Sequence, residues 1–301
     1  MSVWVLYAGV VLIWGTTWYA IELQLGVVAP VISLLYRVAL ATVCLFLYAL
    51  VTRSPLRLSW RNHLWVALQG VLLFSVNYWL IYLGSQYLTS GLVAVLFTML
   101  VHLNLVNARI FFGQPVEPRI VVAATAGVLG VALLFLPEIL AAAGDATVLR
   151  GAALVLGATF LASLGNMAAL RNTSHGLPVV TVNAWGMGYG TISVAVVAGV
   201  TGARFDFDST WSYVGSLLYL AIAGSALAFG LYLALIRRIG AARAAYTSVL
   251  IPAVALTVST VLEGYRWTVP AVAGLLVLLA GNALALPRPA RGRGGSATMR
   301  G

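Results

Sequence analysis

A small set of polar and aromatic side chains interrupts the long apolar runs of this sequence, and these residues could recognise a solute. His102 alone combines a central position in such a run with a side chain that titrates near neutral pH. An imidazole there could bind a carboxylate or exchange a proton. It could equally stay neutral and bond to a neighbouring helix, so both interpretations of His102 stay open.

Aromatic, amide and hydroxyl side chains recur in these runs at helical spacing. Tyr78 and Tyr82 stand four residues apart, so a helix places them on one face. Rings can contact the side chain of an amphipathic zwitterion while amides and hydroxyls bind its ammonium and carboxylate; plain helix packing is the alternative. The residues predicted to bind substrate are Trp14, Thr17, Asn77, Tyr78, Tyr82, His102, Ser163, Asn166, Trp185 and Tyr246, and other runs also carry Asn183 and Tyr232.

Arg37 follows the start of an apolar run at Pro30. A position in the first turns of a membrane helix favours a guanidinium that reaches the headgroup region. An ion pair with Glu22 would also accommodate the charge of Arg37. A contact with the carboxylate of a substrate is the alternative role for Arg37.

Apolar helices must position these groups, because 62% of the 301 residues are hydrophobic and only 8% are charged. Runs of about 20 residues match a hydrocarbon core about 30 Å thick. Lipid leaves backbone amides without partners, so spanning segments are helices or closed barrels, and barrel strands would alternate in polarity. The sequence predicts an all-α polytopic membrane protein with ten transmembrane helices. The predicted spans are 3–21, 29–51, 64–84, 87–111, 119–137, 149–171, 177–200, 212–236, 241–262 and 268–286.

The charged residues sort between the loops of this arrangement. With ten crossings, 13 of the 17 basic residues, all Arg, fall on one side, and six of the seven acidic residues fall on the other. Positive loops favour the cytoplasmic side, so both termini are predicted to lie in the cytoplasm of a bacterial inner membrane. Residues 288–301 are predicted to form a disordered, Arg-rich cytoplasmic tail.

Two segments of the chain repeat each other at an offset of 151 residues. The sequence predicts a repeat over residues 1–147 and another over 148–287, with five helices each. An odd number of crossings makes the second repeat enter the membrane from the opposite side, an inverted-topology arrangement typical of secondary transporters with a site between the repeats. The offset of 151 matches Ala94 with Ala245, Gly113 with Gly264, and Gly130 with Gly281. The prolines follow the same order of spans, Pro30 with Pro178 and Pro118 roughly with Pro270.

Several of these features resemble the EamA repeat of the drug/metabolite transporter superfamily: Trp14-Gly15, Pro30 with Arg37, and the units that end at Gly130 and Gly281. The Gly-Glu pair common in that repeat reads Gly113-Gln114 here. The resemblance implies a ten-helix carrier working by alternating access. The chain also resembles the bacterial amino-acid exporters of this superfamily, which implies export of amino acids, with neutral and aromatic ones among them. Drugs or other small metabolites are the alternative substrates.

Other classes of function lack their signatures in this sequence. The three His residues do not form an H-E-x-x-H motif, so a metalloprotease is not indicated. No Walker A loop points to ATP hydrolysis, and no selectivity-filter sequence points to a channel. We predict no enzyme activity, cofactor, metal or nucleic-acid partner. The expected partners are an amino acid and the bilayer; a monomer suffices, an oligomer is compatible, and a facilitator is favoured over proton coupling.

Overall fold

A computed structural model describes residues 1–24, 26–88, 93, 96–141, 145–262 and 267–285. Every regular element in these ranges is helical, which confirms the all-helical prediction. The predicted tail, Ala94 and Gly264 lie outside the described residues. The main helices are α1 (Val3–Glu22), α2 (Pro30–Val51), α3 (Trp60–Ser85), α4 (Leu100–Phe112), α5 (Pro118–Leu134), α6 (Ala146–Ser174), α7 (Val179–Val200), α8 (Trp211–Ile239), α9 (Thr247–Leu262) and α10 (Val269–Ala285).

Most of these helices are long enough to cross a bilayer. Among the described residues, seven are sufficiently long and apolar, namely α1, α2, α3, α6, α7, α8 and the stretch Ala241–Val258 that leads into α9. The apolar helices in α4, α5 and α10 have 10–17 residues. The chain is thus multi-pass, while the count of ten crossings stays a prediction. Since α6 begins at Ala146, the predicted boundary after residue 147 falls in its first turn.

Prolines begin several helices. Pro30 and Pro118 occupy the first turns of α2 and α5, and Pro178 is the N-cap residue of α7. Proline is tolerated there because the first N–H groups of a helix have no partner within it. Each of these prolines lies within one residue of the start of a predicted span.

The main contacts between helices have counterparts between the corresponding helices of the other half of the chain. Helix α2 packs on α7, and α5 packs on α10, so each of these contacts is its own counterpart. Helix α3 packs on α6 and α7, just as α8 packs on α1 and α2. Helix α4 packs on α6, just as α9 packs on α1. This is the contact pattern of a pseudo-twofold arrangement.

Close backbone approaches follow the same symmetry. A Cβ on Gly130 would lie 2.8 Å from the carbonyl oxygen of Gly274, and a Cβ on Gly281 would lie 2.9 Å from that of Ala123. The 151-residue offset converts one contact into the other. Between α2 and α7, the hydroxyls of Thr42 and Thr191 are 3.0 Å apart. Small residues at these crossings let helices approach closely, as is usual inside membranes.

The fourth helix of each half is interrupted, which corrects the predictions of continuous helices over 87–111 and 241–262. A turn at Thr98 and Met99 precedes α4, and a turn at Ala245 and Tyr246 separates α9 from the short helix Ala241–Ala244. The hydroxyls of Thr247 and Ser248 donate to the carbonyls of Ala244 and Ala245, at 2.8 and 2.6 Å. Hydroxyls can satisfy backbone groups freed by a break at membrane depth.

Matching π-helical segments widen the third helix of each half. Leu72–Val76 forms one such segment inside α3, and Leu220–Leu227 forms the other inside α8. A π segment shifts the backbone hydrogen bonds from i→i−4 to i→i−5 and often lies at a functional site. The second segment carries the contacts of Arg37, Trp14 and Thr17 described next.

Candidate functional site

Arg37 is buried between helices of the two halves, with 2% of its surface exposed. Its Nε donates to the Ser225 hydroxyl at 2.8 Å, and its guanidinium carbon lies 5.1 Å from the centroid of the Tyr78 ring. Its Nη1 is buried and has no hydrogen-bond partner. The expectation of a guanidinium at the headgroups is therefore wrong, because α2 packs on the π segment of α8 and directs this side chain inward.

No described acidic side chain pairs with Arg37; the predicted pairing with Glu22 concerns a side chain outside the described ones. The ion pairs found in the described ranges are Arg204 with Asp206, at 3.7 Å, and Arg243 with Glu117, at 2.7 Å. A buried guanidinium normally has a carboxylate partner, because removing the charge from water carries a large desolvation penalty. The Tyr78 ring and the Ser225 hydroxyl offset only part of that penalty. Arg37 therefore leaves a cationic group ready to bind an anion.

An aromatic wall lies beside this charge. The Trp14 ring packs 4.9 Å from Phe229 and 5.1 Å from Tyr232, measured between centroids. Phe229 in turn packs 4.6 Å from Phe74 and 6.5 Å from Tyr78. The wall thus combines α1 and α3 with α8, and the cluster of Trp14, Tyr78 and Phe229 connects it to Arg37.

The π segment of α8 fixes one end of the wall. The indole N–H of Trp14 donates to the Gly224 carbonyl at 3.0 Å. A Cβ on Gly224 would lie 2.9 Å from Cγ2 of Thr17 and 3.7 Å from Nη2 of Arg37. Glycine is required here because any larger residue would press α1 away from α8. Thr17 turns its own hydroxyl to the Trp14 carbonyl, at 2.7 Å, so it contributes packing and shape.

Buried polar atoms without partners cluster around these helices. They lack a hydrogen bond inside the protein, although leaving such a group unpaired costs about 1–3 kcal/mol. Atoms of this kind call for a ligand or a water molecule. The Tyr82 hydroxyl has the Arg37 side chain as a polar neighbour, and the Tyr232 hydroxyl has the Asn166 side chain, although neither pair forms a close hydrogen bond. The unpaired atoms near the wall are Asn77 Oδ1, Tyr82 Oη, Asn166 Oδ1, Asn183 Oδ1 and Tyr232 Oη.

These contacts form one packed cluster of side chains between the halves, which we call the chamber. Its members are Trp14, Arg37, Tyr78, Tyr82, Ser225, Phe229 and Tyr232, with Thr17 and Asn166 at its edge. The sequence predicted Trp14, Thr17, Tyr78, Tyr82 and Asn166 from their types and helical positions. It missed Phe229 and Ser225, because a lone Phe or Ser in an apolar run carries no distinguishing signal. Asn77 precedes Tyr78 and is buried, with its Oδ1 unpaired.

Ser163 belongs to a chain of polar contacts between α4 and α6. Its hydroxyl accepts a hydrogen bond from Nδ2 of Asn107 at 2.8 Å. One turn further, Nδ2 of Asn166 donates to Oδ1 of Asn104 at 3.5 Å, and Nδ2 of Asn104 donates to the Ala241 carbonyl at 3.3 Å. These bonds tie α4 to α6 and to the start of the broken helix, so Ser163 has a bonding partner within the protein.

His102, Trp185 and Tyr246 make their contacts elsewhere. Nε2 of His102 lies 3.3 Å from the Thr125 hydroxyl on α5, while its Nδ1 is buried without a partner. The Tyr246 hydroxyl donates to the Ile120 carbonyl. The structure does not bring these residues into contact with the Arg37 cluster, and their role in substrate binding stays a prediction.

Trp185 anchors the loop between α2 and α3. Its indole N–H donates to the Leu56 carbonyl at 2.9 Å, and its ring packs 4.8 Å from that of His63. The opposite half has a counterpart, because the Tyr36 hydroxyl donates to the Asp206 carbonyl, at 3.2 Å, in the loop between α7 and α8. Each loop is thus held by an aromatic residue of the other half.

Comparisons with known proteins agree with this architecture. The family model described as EamA-like transporter family matches the chain twice, over residues 2–136 and 149–286. The predicted resemblance to that repeat is thereby confirmed.

Two relatives and one solved structure are similar over nearly the whole chain. An uncharacterized transporter of Bacillus subtilis, YoaV, is 23% identical over 90% of this chain and 92% of its own. An uncharacterized transporter of Archaeoglobus fulgidus is 23% identical over 93% of this chain and 97% of its own. A crystal structure of a protein 14% identical in sequence has a TM-score of 0.78 and covers 93% of this chain and 95% of that one. The last comparison supports the fold alone.

Proposed function

Because this chain belongs to the EamA-like transporter family, we propose that it exports amino acids from the bacterial cytoplasm across the inner membrane. The family makes the chain a multi-pass membrane transporter, and a transporter of this kind takes a small-molecule substrate. Neutral and aromatic amino acids are the proposed substrates. The observation that carries the proposal is the chamber, where a buried cation, an aromatic wall and unpaired polar atoms lie together.

The composition of the chamber suits an amino acid. The rings of Trp14 and Phe229 offer apolar contact area to a side chain. Amide oxygens without partners, such as Asn166 Oδ1, can accept hydrogen bonds from an ammonium group. The guanidinium of Arg37 can hold a carboxylate. Sites of this type combine mostly apolar walls with a few polar groups that fix orientation.

Alternating access is the proposed mechanism. The pairwise exchange of helix contacts between the halves supports it, because a pseudo-twofold assembly can adopt two related arrangements that open to opposite sides. The breaks before α4 and α9 support it as well, since interrupted helices often line the substrate sites of such carriers. We propose facilitated transport down the gradient of the amino acid, with no coupled ion or nucleotide.

Counterflow in proteoliposomes tests this function. Vesicles are preloaded with unlabelled phenylalanine and placed in a trace of the labelled amino acid. Transient accumulation of label is expected, of equal size with and without a pH gradient, because a facilitator exchanges substrate without net driving force. Absence of counterflow for phenylalanine and for a panel of other neutral amino acids would reject the proposed substrates. If only lipophilic cations, and no amino acid, bind to the purified protein, the alternative substrate class of drugs would be favoured.

A further inference from the structure

The charge on Arg37 has a consequence for substrate class. Resting on the function proposed above, we infer that Arg37 is the anion-binding group of the chamber. The substrates are accordingly monocarboxylates with an apolar or aromatic side chain, and their ammonium group is dispensable. Carboxylates that lack the amino group then bind to the same site as amino acids.

The surroundings of the guanidinium leave it able to take a carboxylate. Ser225 engages Nε at 2.8 Å, and the face of the guanidinium is covered by the Tyr78 ring at 5.1 Å. The terminal nitrogens are left: Nη1 makes no close hydrogen bond in the buried site, and its neutral neighbour, the Tyr82 hydroxyl, does not balance the charge of Arg37. Two parallel N–H groups of one guanidinium fit the two oxygens of a carboxylate, and such paired bonds are strong because both partners are charged.

The protein does not supply the missing negative charge from any described side chain. Both ion pairs of the described ranges involve other Arg residues. The side chain is 2% exposed, so water screens the charge poorly. An incoming carboxylate therefore relieves the penalty of a buried, unpaired cation. An incoming cation is repelled for the same reason, and this argues against lipophilic cations as substrates.

The groups that can meet an ammonium are weaker by comparison. Unpaired acceptors near the wall are neutral, namely the amide oxygens of Asn77, Asn166 and Asn183 and the hydroxyls of Tyr82 and Tyr232. A hydrogen bond to a neutral acceptor contributes less than a bond between two charged groups. A deaminated analogue keeps both the pairing with Arg37 and the contact of its ring with Trp14 and Phe229. Loss of the amino group should therefore weaken binding only modestly.

Three small molecules of similar size separate these contributions. Phenylalanine has both charges, 3-phenylpropanoate has only the carboxylate, and phenethylamine has only the ammonium. The purified full-length protein is heated with each, and the thermal midpoint is recorded as a measure of binding. Phenylalanine and 3-phenylpropanoate should raise the midpoint, whereas phenethylamine should leave it unchanged. Stabilisation by phenethylamine equal to that by 3-phenylpropanoate would overturn the inference.

Variants assign the effect to one residue. Arg37→Gln should lower the affinity for 3-phenylpropanoate at least about tenfold, because a charge-assisted hydrogen bond is lost. Arg37→Lys should recover part of that affinity. Arg171→Gln is the matched control, because Arg171 also stacks 5.1 Å over a ring, that of Trp65, and contacts none of the chamber residues. Unchanged affinity is expected there.

The outcomes also separate this inference from the proposed function. Equal binding of 3-phenylpropanoate to the wild type and to a folded Arg37→Gln protein, or no binding to the wild type, overturns the role of Arg37. If 3-phenylpropanoate binds through Arg37 while no amino acid binds or exchanges, the amino-acid assignment fails and the carboxylate site stands.

Discussion

Two buried tyrosines of the second half show how differently one residue type can be used. The Tyr246 hydroxyl donates to the Ile120 carbonyl and so joins α9 to α5 of the other half. The Tyr232 hydroxyl is also buried but makes no close hydrogen bond, with Asn166 as a polar neighbour, and its ring packs on Trp14. A partnered hydroxyl stabilises the fold, while an unpartnered one beside a chamber is available to a ligand.

Removing these two hydroxyls should separate stability from binding. Tyr232→Phe should keep or slightly raise the thermal midpoint and weaken phenylalanine binding by about two- to tenfold, the loss of one neutral hydrogen bond. Tyr246→Phe should remove the hydrogen bond to the Ile120 carbonyl and destabilise the protein by about 1–2 kcal/mol, and its affinity tests whether Tyr246 also contacts substrate. Thermal midpoints and binding isotherms of both purified proteins check this. A Tyr232→Phe protein of normal affinity would remove Tyr232 from the site.

At this scale the sequence predicted residue types better than their roles. The structure brings Trp14, Tyr78 and Tyr82 of the predicted set close to Arg37, and their role in binding stays a prediction. For Arg37 the sequence left a substrate contact as the alternative, because its burial depends on contacts such as that with Ser225, 188 residues away along the chain. Trp185 and Trp14 look alike in the sequence, since each is a tryptophan within an apolar run. They differ in the structure, where the indole N–H of Trp185 donates to the Leu56 carbonyl of a loop.

At the scale of helices, the crossing of α5 and α10 is a close backbone contact between the halves. A Cβ on Gly130 would lie 2.6 Å from the backbone nitrogen of Leu278, and a Cβ on Gly274 would lie 2.5 Å from the Gly130 carbonyl oxygen. These atoms belong to backbone, which cannot move aside as a flexible side chain can. The two helices must separate to admit even one methyl group.

Substitution of these glycines by alanine should therefore destabilise the protein. Gly130→Ala is expected to cost about 1–3 kcal/mol, the range for an overpacked core, and to lower the thermal midpoint. Gly199→Ala in α7 is the control, because a Cβ there meets no atom within 4 Å. It should be neutral or stabilising by up to about 1 kcal/mol. Equal midpoints for both variants would contradict the close crossing.

The sequence predicted the helices well and their interruptions poorly. Apolar runs and prolines such as Pro30 indicate where helices lie, because both signals are local. The turn at Ala245 and Tyr246 depends on hydroxyl contacts to backbone carbonyls, and the apolar pattern continues through it. The π segment Leu220–Leu227 could not be predicted from the sequence either, because its residues continue the apolar pattern of α8. Its contact with Trp14 is known only from the structure.

At the scale of the whole molecule, the predicted inversion of the two halves has a direct test. The loop between α2 and α3 carries Arg57, and the loop between α7 and α8 carries Arg204; both side chains are exposed. Swapping the halves exchanges these loops. An inverted repeat therefore puts them on opposite faces of the membrane.

Cysteine labelling in spheroplasts measures this. The single native cysteine is first removed as Cys44→Ser. An impermeant maleimide should then label Arg204→Cys in intact spheroplasts and Arg57→Cys only after permeabilisation. The control is each protein labelled in detergent, where both sites should react. Labelling of both positions from the same side would rule out five crossings per half.

The Arg37 cluster breaks the likeness between the halves. An offset of 149, which relates Thr42 to Thr191, carries Arg37 to Gly186, where no charge exists and where an added Cβ would meet the Phe74 ring at 3.0 Å. Two identical halves would open inward and outward with equal ease. Under the alternating access proposed above, a single cation held by one half makes the two openings unequal in energy, and the empty carrier then has a preferred side.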